Sequence, residues 1–271
     1  MDPVRRARVS WPAMAVNSLQ DVVARLDEII RRAIADGDRR GYFPALYNRV
    51  TRRVREDIRR GVFDDGPRME RFDVIFANRY LDAYDRYAGG ARPSRVWLRA
   101  FEAAASDQLL VLQHLLLGMN AHIVLDLGIA AAEAAPGPAI EGLRADFHRI
   151  NDVLASLVGT VEDELVAIAG AWRADLGGFL GGAERAAGGV DRSAASLMMD
   201  GARVLAWDFA VRLAHADDEA REAEIARQDA YATLLADAVL IESPLVALMA
   251  VGGRSDVREN LRILAQGELG G

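Results

Sequence analysis

Two histidines and one aspartate in residues 113–132 are the side chains best placed to do chemistry. The stretch reads QHLLLGMNAHIVLDLGIAAA, and ionisable groups in such an apolar run are costly to bury unless each finds a partner. At about 100° per residue of helix, His114, His122 and Asp126 share one broad face. The pattern therefore predicts a buried polar site with these three residues as its catalytic groups.

A glycine between the two histidines predicts a notch on that face. Across it, His114 could act as a general base, while Asp126 orients His122 as in an activated dyad. This arrangement needs no metal and suits proton transfer, cyclisation, elimination or isomerisation of a small, partly apolar molecule. The predicted substrate pocket consists of the glycine and three aromatic residues: Gly118, Tyr42, Phe76 and Trp207.

A second histidine–aspartate pair with the same spacing indicates a metal site instead. His148 and Asp152 repeat the four-residue separation of His122 and Asp126 on the next predicted helix. Side chains four residues apart on a helix point the same way, about 6 Å apart, which suits a shared zinc, iron or manganese ion. Two facing pairs could hold one or two ions that activate water for hydrolysis. Asp73 is one further candidate carboxylate.

The composition excludes several kinds of chemistry. The chain has no cysteine, which removes disulfides, thiolate metal ligands and cysteine nucleophiles. All 33 basic residues are arginine. Without lysine there is no Schiff base, no lysine-anchored pyridoxal cofactor (PLP) and no Walker-type nucleotide motif. The formal net charge of -7 argues against general nucleic-acid binding.

The distribution of apolar residues predicts a cytoplasmic protein. The opening MDPVRRARVSWPAMAV lacks the continuous apolar core and cleavage site of a secretory signal. The longest apolar run is residues 113–132, and its polar interruptions favour a buried helix over a membrane span. The expected partner is a small-molecule substrate or ligand, rather than nucleic acid or a membrane.

Hydrophobic periodicity predicts helices along most of the chain, with Ser18 capping the first of them. We find no strand alternation and no fixed repeat, so the predicted class is all-α: a single compact multi-helix domain with a buried central helix, over residues 18–266. Residues 1–17 are predicted to be an N-terminal tail, and the glycine-rich segment 177–189 a lid or a linker. The predicted helices cover residues 18–35, 42–60, 68–87, 95–105, 113–132, 139–168, 194–214 and 217–240, followed by a short pair ending near 265.

Four stretches carry a resemblance to a known family: GYFPALYNRVTRRV, FDDGPRMERFDVIFANRYLDAY, LQHLLLGMNAHIVLDLGIAAAE and DFHRIND. They resemble the bacterial family catalogued as domain of unknown function 5995, over residues 18–265. The family name records no activity, so this resemblance implies membership and no particular chemistry.

More weakly, the two histidine–aspartate pairs resemble the metal-binding helices of zinc-dependent phospholipase C and related single-strand nucleases. That resemblance implies phosphoester hydrolysis by metal-activated water. The sequence departs from the pattern, because those enzymes are secreted, carry more than the 4 histidines found here, and bind metal through an N-terminal tryptophan. Trp11 is internal, so one or two metal ions are expected rather than three.

Three classes of function fit these residues. The first is an enzyme acting on a small molecule, either as a metal-dependent hydrolase or by metal-free acid–base catalysis. The second is a non-catalytic helical protein that binds an apolar ligand, and the third is an interaction protein with residues 217–227 as its solvated face. Because two pairs at metal-ligand spacing account for more residues than one dyad, the sequence favours the metal-dependent hydrolase.

Overall fold

The structure is a computed structural model, and it describes residues 16–150, 153, 164, 168, 194–241 and 256–265. Within these ranges the chain forms nine helices and no strand, which confirms the predicted all-α class. Residues 1–15, Asp152, the segment 177–189 and the first of the final two predicted helices lie outside the described residues.

The first helix shows how local signals set the helix ends. Helix α1 spans Leu19–Asp36, and the Ser18 hydroxyl accepts a hydrogen bond from the backbone N–H of Asp21 at 3.1 Å. The helix ends at Gly37, whose φ of 67° is a left-handed conformation that favours glycine. The N-cap that the sequence predicts is therefore confirmed.

The other helices follow the predicted order. A short 3-10 turn, Arg39–Gly41, leads into α2, and a second such turn, Gly137–Ala139, precedes α6. Val153, Glu164 and Ile168 are also helical, within the predicted helix 139–168. The bounds are α2 Tyr42–Arg59, α3 Gly66–Ala88, α4 Arg95–Ala103, α5 Val111–Ala134, α6 140–150, α7 Ala194–His215, α8 Asp218–Val239 and α9 Val257–Ala265.

Helix α5 lies at the centre of the fold. Its side chains pack against α2, α3, α4, α7 and α8, and Ala130, Ala131 and Ala132 are completely buried. By length and composition α5 could cross a membrane, but 78% of its most apolar window is covered by the rest of the protein. The predicted buried central helix is confirmed.

The centre of α5 departs from the regular helix that the sequence predicts. Residues Ala121–Asp126 form a π-helical segment, in which the backbone N–H of Leu127 donates to the carbonyl of His122, five residues earlier. Such segments are rare and often occur at functional sites. Both His122 and Asp126 lie in it, so the widened turn sets their direction toward the neighbouring helices.

Substituting Gly128 with alanine tests how closely α5 and α7 pack. A Cβ atom there would lie 2.4 Å from the Phe209 ring and 3.0 Å from the Ala206 carbonyl oxygen. Because backbone limits the relief of this clash, we expect the free energy of unfolding to fall by about 1–3 kcal/mol, measured by urea denaturation. At Gly201, an exposed helical glycine with open space around it, alanine should instead stabilise by about 0.5–1 kcal/mol. Equal effects at both positions would contradict this account.

Candidate functional site

The π-helical segment brings His122 and Asp126 together in the core. The side chains are 3% and 1% exposed, and His122 Nδ1 lies 3.3 Å from Asp126 Oδ2. Two hydrogen-bond donors from other helices complete the surroundings of the carboxylate. Arg79 Nε of α3 donates to Oδ1 at 3.1 Å, and Trp97 Nε1 of α4 donates to Oδ2 at 2.7 Å. We call these four residues the Asp126 network.

Opposing influences set the protonation states in this network. Burial acts to raise the pKa of Asp126, but the hydrogen bond with His122 and the Arg79 cation outweigh it and lower that pKa. Burial lowers the pKa of His122 more than the bond to Asp126 raises it. A neutral imidazole beside an ionised carboxylate must carry its proton on Nδ1, which leaves Nε2 as a proton acceptor.

Aromatic rings enclose the His122 imidazole. Phe76 stacks on it with a centroid distance of 3.6 Å, and Tyr47 approaches edge-on at 4.5 Å. The Nε2 atom is buried and has no hydrogen-bond partner among the described residues. The rings that surround His122, which we call the aromatic cage, are Phe43, Tyr47, Phe76, Tyr80 and Trp97.

A second buried carboxylate, Asp73, lies one helical turn before Phe76 on α3. It is 4% exposed, and its Oδ2 has no hydrogen-bond partner in the described part of the chain. Burial raises its pKa to about 7. Tyr47 connects it to the cage: burial, followed by the charges of Asp73 and Asp126, raises the pKa of the Tyr47 hydroxyl. The pKa values of the two aspartates that act on Tyr47 are therefore shifted in opposite directions: that of Asp73 is raised and that of Asp126 is lowered.

His114 occupies a separate environment from His122. Its ring lies 5.5 Å from that of Tyr42, and burial, with a smaller contribution from Arg39, lowers its pKa to about 4. The Phe43 ring occupies most of the predicted notch between the histidines, and a small cavity of about 20 Å³ remains beside Gly118. A Cβ atom on Gly118 would lie 2.5 Å from the Phe43 ring, so Phe43 lies where the sequence predicts a substrate.

The three aromatic residues of the predicted pocket are also separated. Tyr42 contacts His114, Phe76 contacts His122, and Trp207 contacts His148 with a centroid distance of 5.8 Å. These contacts do not bring the three rings together, and their role as one substrate pocket stays a prediction. Trp207 instead packs beside Phe147, at 4.9 Å.

The two predicted metal pairs do not meet in the described residues. His148 is half-buried beside Phe147 and Trp207, and Asp152 lies outside the described residues. Across the described part of the chain, no group of three or more histidine, aspartate or glutamate side chains could hold a metal ion. Asp126 already accepts from Arg79 and Trp97, and a guanidinium at its oxygen disfavours a cation there. The donor set therefore does not fit a metal at His122 and Asp126.

A surface cleft reaches the Asp126 network from outside. Its volume is about 510 Å³, within the range typical of small-molecule sites. Trp97 belongs both to the cleft and to the aromatic cage, so it separates the cleft from His122. The lining combines charged and apolar groups, among them Ile75, Arg79, Arg86, Trp97, Asp126 and Glu133.

Sequence reasoning missed the main partners of Asp126. Arg79 is 47 residues from Asp126 along the chain, and Trp97 is 29 residues from it. Neither residue belongs to a local motif. The signal that could have indicated them is the cost of burying Asp126, which demands N–H donors or a cation. Another polar residue of α5, Asn120, faces a neighbouring helix and donates to the Ala232 carbonyl at 2.8 Å.

The contacts define an all-helical protein with a histidine–aspartate pair buried at its centre and linked to an arginine and a tryptophan. The chain belongs to DUF5995, a family of unknown function, whose profile matches residues 19–242. No curated protein and no solved structure matches the chain significantly. The family resemblance is thus confirmed over most of its predicted extent, whereas nothing supports the resemblance to phospholipase C.

Proposed function

We propose that the protein is an acid–base enzyme that acts without a metal on a small, partly apolar molecule. The observation that carries this proposal is the state of His122. Its imidazole is neutral, Asp126 holds it through Nδ1, and its Nε2 has no partner among the described residues. A carboxylate that orients a histidine in this way prepares Nε2 to take a proton.

Asp73 supplies the complementary acid, because its protonation state is opposite to that of Asp126. Asp126 stays ionised and orients the base, whereas Asp73 keeps its proton up to a pH of about 7. Pairs of titratable groups whose surroundings separate their pKa values are typical of acid–base sites. In the proposed reaction His122 takes one proton from the substrate and Asp73 gives one to another substrate atom, as in an isomerisation. The Tyr47 hydroxyl then gives its own proton to Asp73 and takes the proton held on His122 Nε2, so all three groups return to their starting states and no co-reactant is consumed.

The cleft provides the approach for the substrate. Its mixed lining suits a molecule with one polar and one apolar part, and Trp97 is the ring that the cleft and the cage share. The Trp97 and His122 rings lie 6.1 Å apart. A displacement of the indole would bring a molecule from the cleft toward His122, and it would break the hydrogen bond of Trp97 to Asp126 and its contacts with Phe43 and Tyr80.

His122→Asn tests this proposal directly. Purified protein is incubated with a bacterial metabolite extract, and consumed compounds are followed by untargeted mass spectrometry. We expect a compound that the wild type converts and that the variant converts about 100-fold to 10,000-fold more slowly, the usual contribution of a general base. His215→Asn, at an exposed histidine on α7, is the matched control and should keep full activity.

Three further measurements test the catalytic role of His122. A chelator should leave the rate unchanged, and helical content by circular dichroism should match between variant and wild type. The rate should fall as pH rises through about 7, because Asp73 then loses the proton it donates, and should also fall at low pH as His122 becomes charged. A compound consumed equally fast by His122→Asn, or a rate lost to the chelator, would refute the proposal.

A second candidate function is ligand binding without turnover. The enclosure of His122 by five rings favours it, because the cleft ends at Trp97 and no open path to Nε2 is found among the described residues. In that case the same experiment would show compounds retained by the wild type and released unchanged. Arg79→Gln would then weaken retention, since Arg79 lines the cleft.

A further inference from the structure

A second cavity, which we call the His114 cavity, shares the residue Trp97 with the cleft. Its volume is about 20 Å³, which exceeds the roughly 10–15 Å³ that a cavity needs to hold one water molecule. The walls are mainly aromatic, and two arginines of the turn before α2 complete them. The cavity is lined by Phe43, Trp97, Phe101, Tyr80, His114, Arg39 and Arg40, with three small residues.

Two polar side chains of this cavity lack partners. Tyr80 is completely buried and His114 is 6% exposed, and neither the Tyr80 hydroxyl nor His114 Nε2 has a hydrogen-bond partner among the described residues. A buried donor left without an acceptor is costly. Both groups can donate, the phenol through O–H and a neutral imidazole through Nε2–H. In the His114 tautomer that carries the proton on Nε2, both groups lack an acceptor in the described part of the chain.

The charge around the cavity also favours an acceptor. Arg40 is ion-paired with Asp38, whereas Arg39 has no ion pair among the described residues. No acidic side chain lines the cavity in this part of the chain. Arg39 is close enough to His114 to act on its charge. Asp38 and Asp85 act on the Tyr80 hydroxyl from outside the lining, and Arg40 opposes them. The positive charge of Arg39 therefore lies on the His114 side of the cavity.

We propose that the His114 cavity binds a small monovalent anion of the size of chloride or formate. Such an anion would accept from the Tyr80 hydroxyl and His114 Nε2 and would be balanced by Arg39. A water molecule could accept the same hydrogen bonds but would leave the Arg39 charge without a counter-ion. This inference does not depend on the proposed acid–base chemistry, because no residue of the His122–Asp126 pair takes part in it.

The test is a titration of the wild-type protein with sodium chloride and, separately, sodium formate. Ionic strength is held constant with sodium gluconate, whose bulky anion does not fit the cavity. The His114 ring signals are followed by NMR and assigned with His114→Gln. We expect saturable shifts with both small anions. Affinity should fall about tenfold or more in Arg39→Gln and in Tyr80→Phe. Arg59→Gln, an exposed arginine of α2, should bind like the wild type.

Two results would overturn the proposal. Shifts no larger than those in gluconate alone would mean that the cavity holds water only, and the proposal would be wrong. Saturable shifts that persist unchanged in both Arg39→Gln and Tyr80→Phe would place the anion elsewhere and would also overturn it. Tyr80→Phe removes only an unpartnered oxygen, and Arg39 is half-exposed, so both variants are expected to fold.

Discussion

Asp126→Asn is expected to lower the free energy of unfolding by about 3 kcal/mol or more, as removing one partner of a buried ion pair does. The carboxylate accepts from Arg79 and Trp97 and is bonded to His122. An amide offers a single acceptor oxygen to these groups and adds two N–H donors of its own. Arg79, whose side chain is 32% exposed, can partly recover its hydration in the variant. The loss of stability should therefore stay close to about 3 kcal/mol.

Urea denaturation measures this effect, with Asp237→Asn as the control. Asp237 pairs with Arg99 on the surface, where such a pair contributes about 1 kcal/mol at most. A double-mutant cycle with Trp97→Phe tests whether the indole and the carboxylate act together, and we expect a coupling of about 1–2 kcal/mol. If Asp126→Asn cost no more than Asp237→Asn, the Asp126 network would not stabilise the core.

Asp73→Asn is expected to remove a large pH dependence from the stability of the protein. Burial raises the pKa of Asp73 from the ordinary 3.8 to about 7. Between those values the unfolded chain releases a proton that the folded protein keeps, so stability is lost as pH rises from about 4 to about 7. The whole change amounts to about 4 kcal/mol. The variant, which has no proton to lose, should be similar to the wild type near pH 4 and clearly more stable at pH 8.

The measurement is urea denaturation of wild type and variant at both pH values. Other groups titrate in this range, His114 among them, but their contributions cancel in the difference between the two proteins. Asp82→Asn, an exposed aspartate on the same helix, should change stability little at either pH. A difference between wild type and Asp73→Asn that stays constant with pH would show that Asp73 is ionised in the folded protein.

The Asp126→Asn and Asp73→Asn variants are expected to change stability in opposite directions. Asp126 is a buried carboxylate whose partners stabilise it, so removing its charge should weaken the protein. Asp73 is a buried carboxylate without such partners in the described part of the chain, so removing its charge should strengthen the protein at neutral pH. A residue that reduces stability in the core is typical of a functional site, which is the reason the proposed reaction assigns the acid role to Asp73.

Several features of this protein could be predicted from neighbouring residues alone. Ser18 and Gly37 mark the ends of α1, and apolar periodicity predicts α2, α3, α7 and α8 to within about two residues, the usual uncertainty of helix ends. Helix ends and amphipathic faces depend on interactions within a few residues of the chain, and those are visible in the sequence. The pairing of His122 with Asp126 belongs to this group, because four residues of helix bring their side chains together.

Other features depend on contacts between distant parts of the chain. Arg79 and Trp97 reach Asp126 from two other helices, and Phe43 fills the space beside Gly118. A helical wheel shows which face a residue occupies, but not which side chain of another helix covers that face. For that reason the sequence predicted an open notch where the protein has a ring.

The sequence by itself therefore determined the all-helical class, the burial of α5 and the histidine–aspartate pair at its centre. Only the tertiary structure decided that an arginine and an indole from two other helices bind the aspartate of this pair. The physical reason is that hydrogen bonding along a helix is local, whereas the choice of partner for a buried charge is made among all the helices that pack around it.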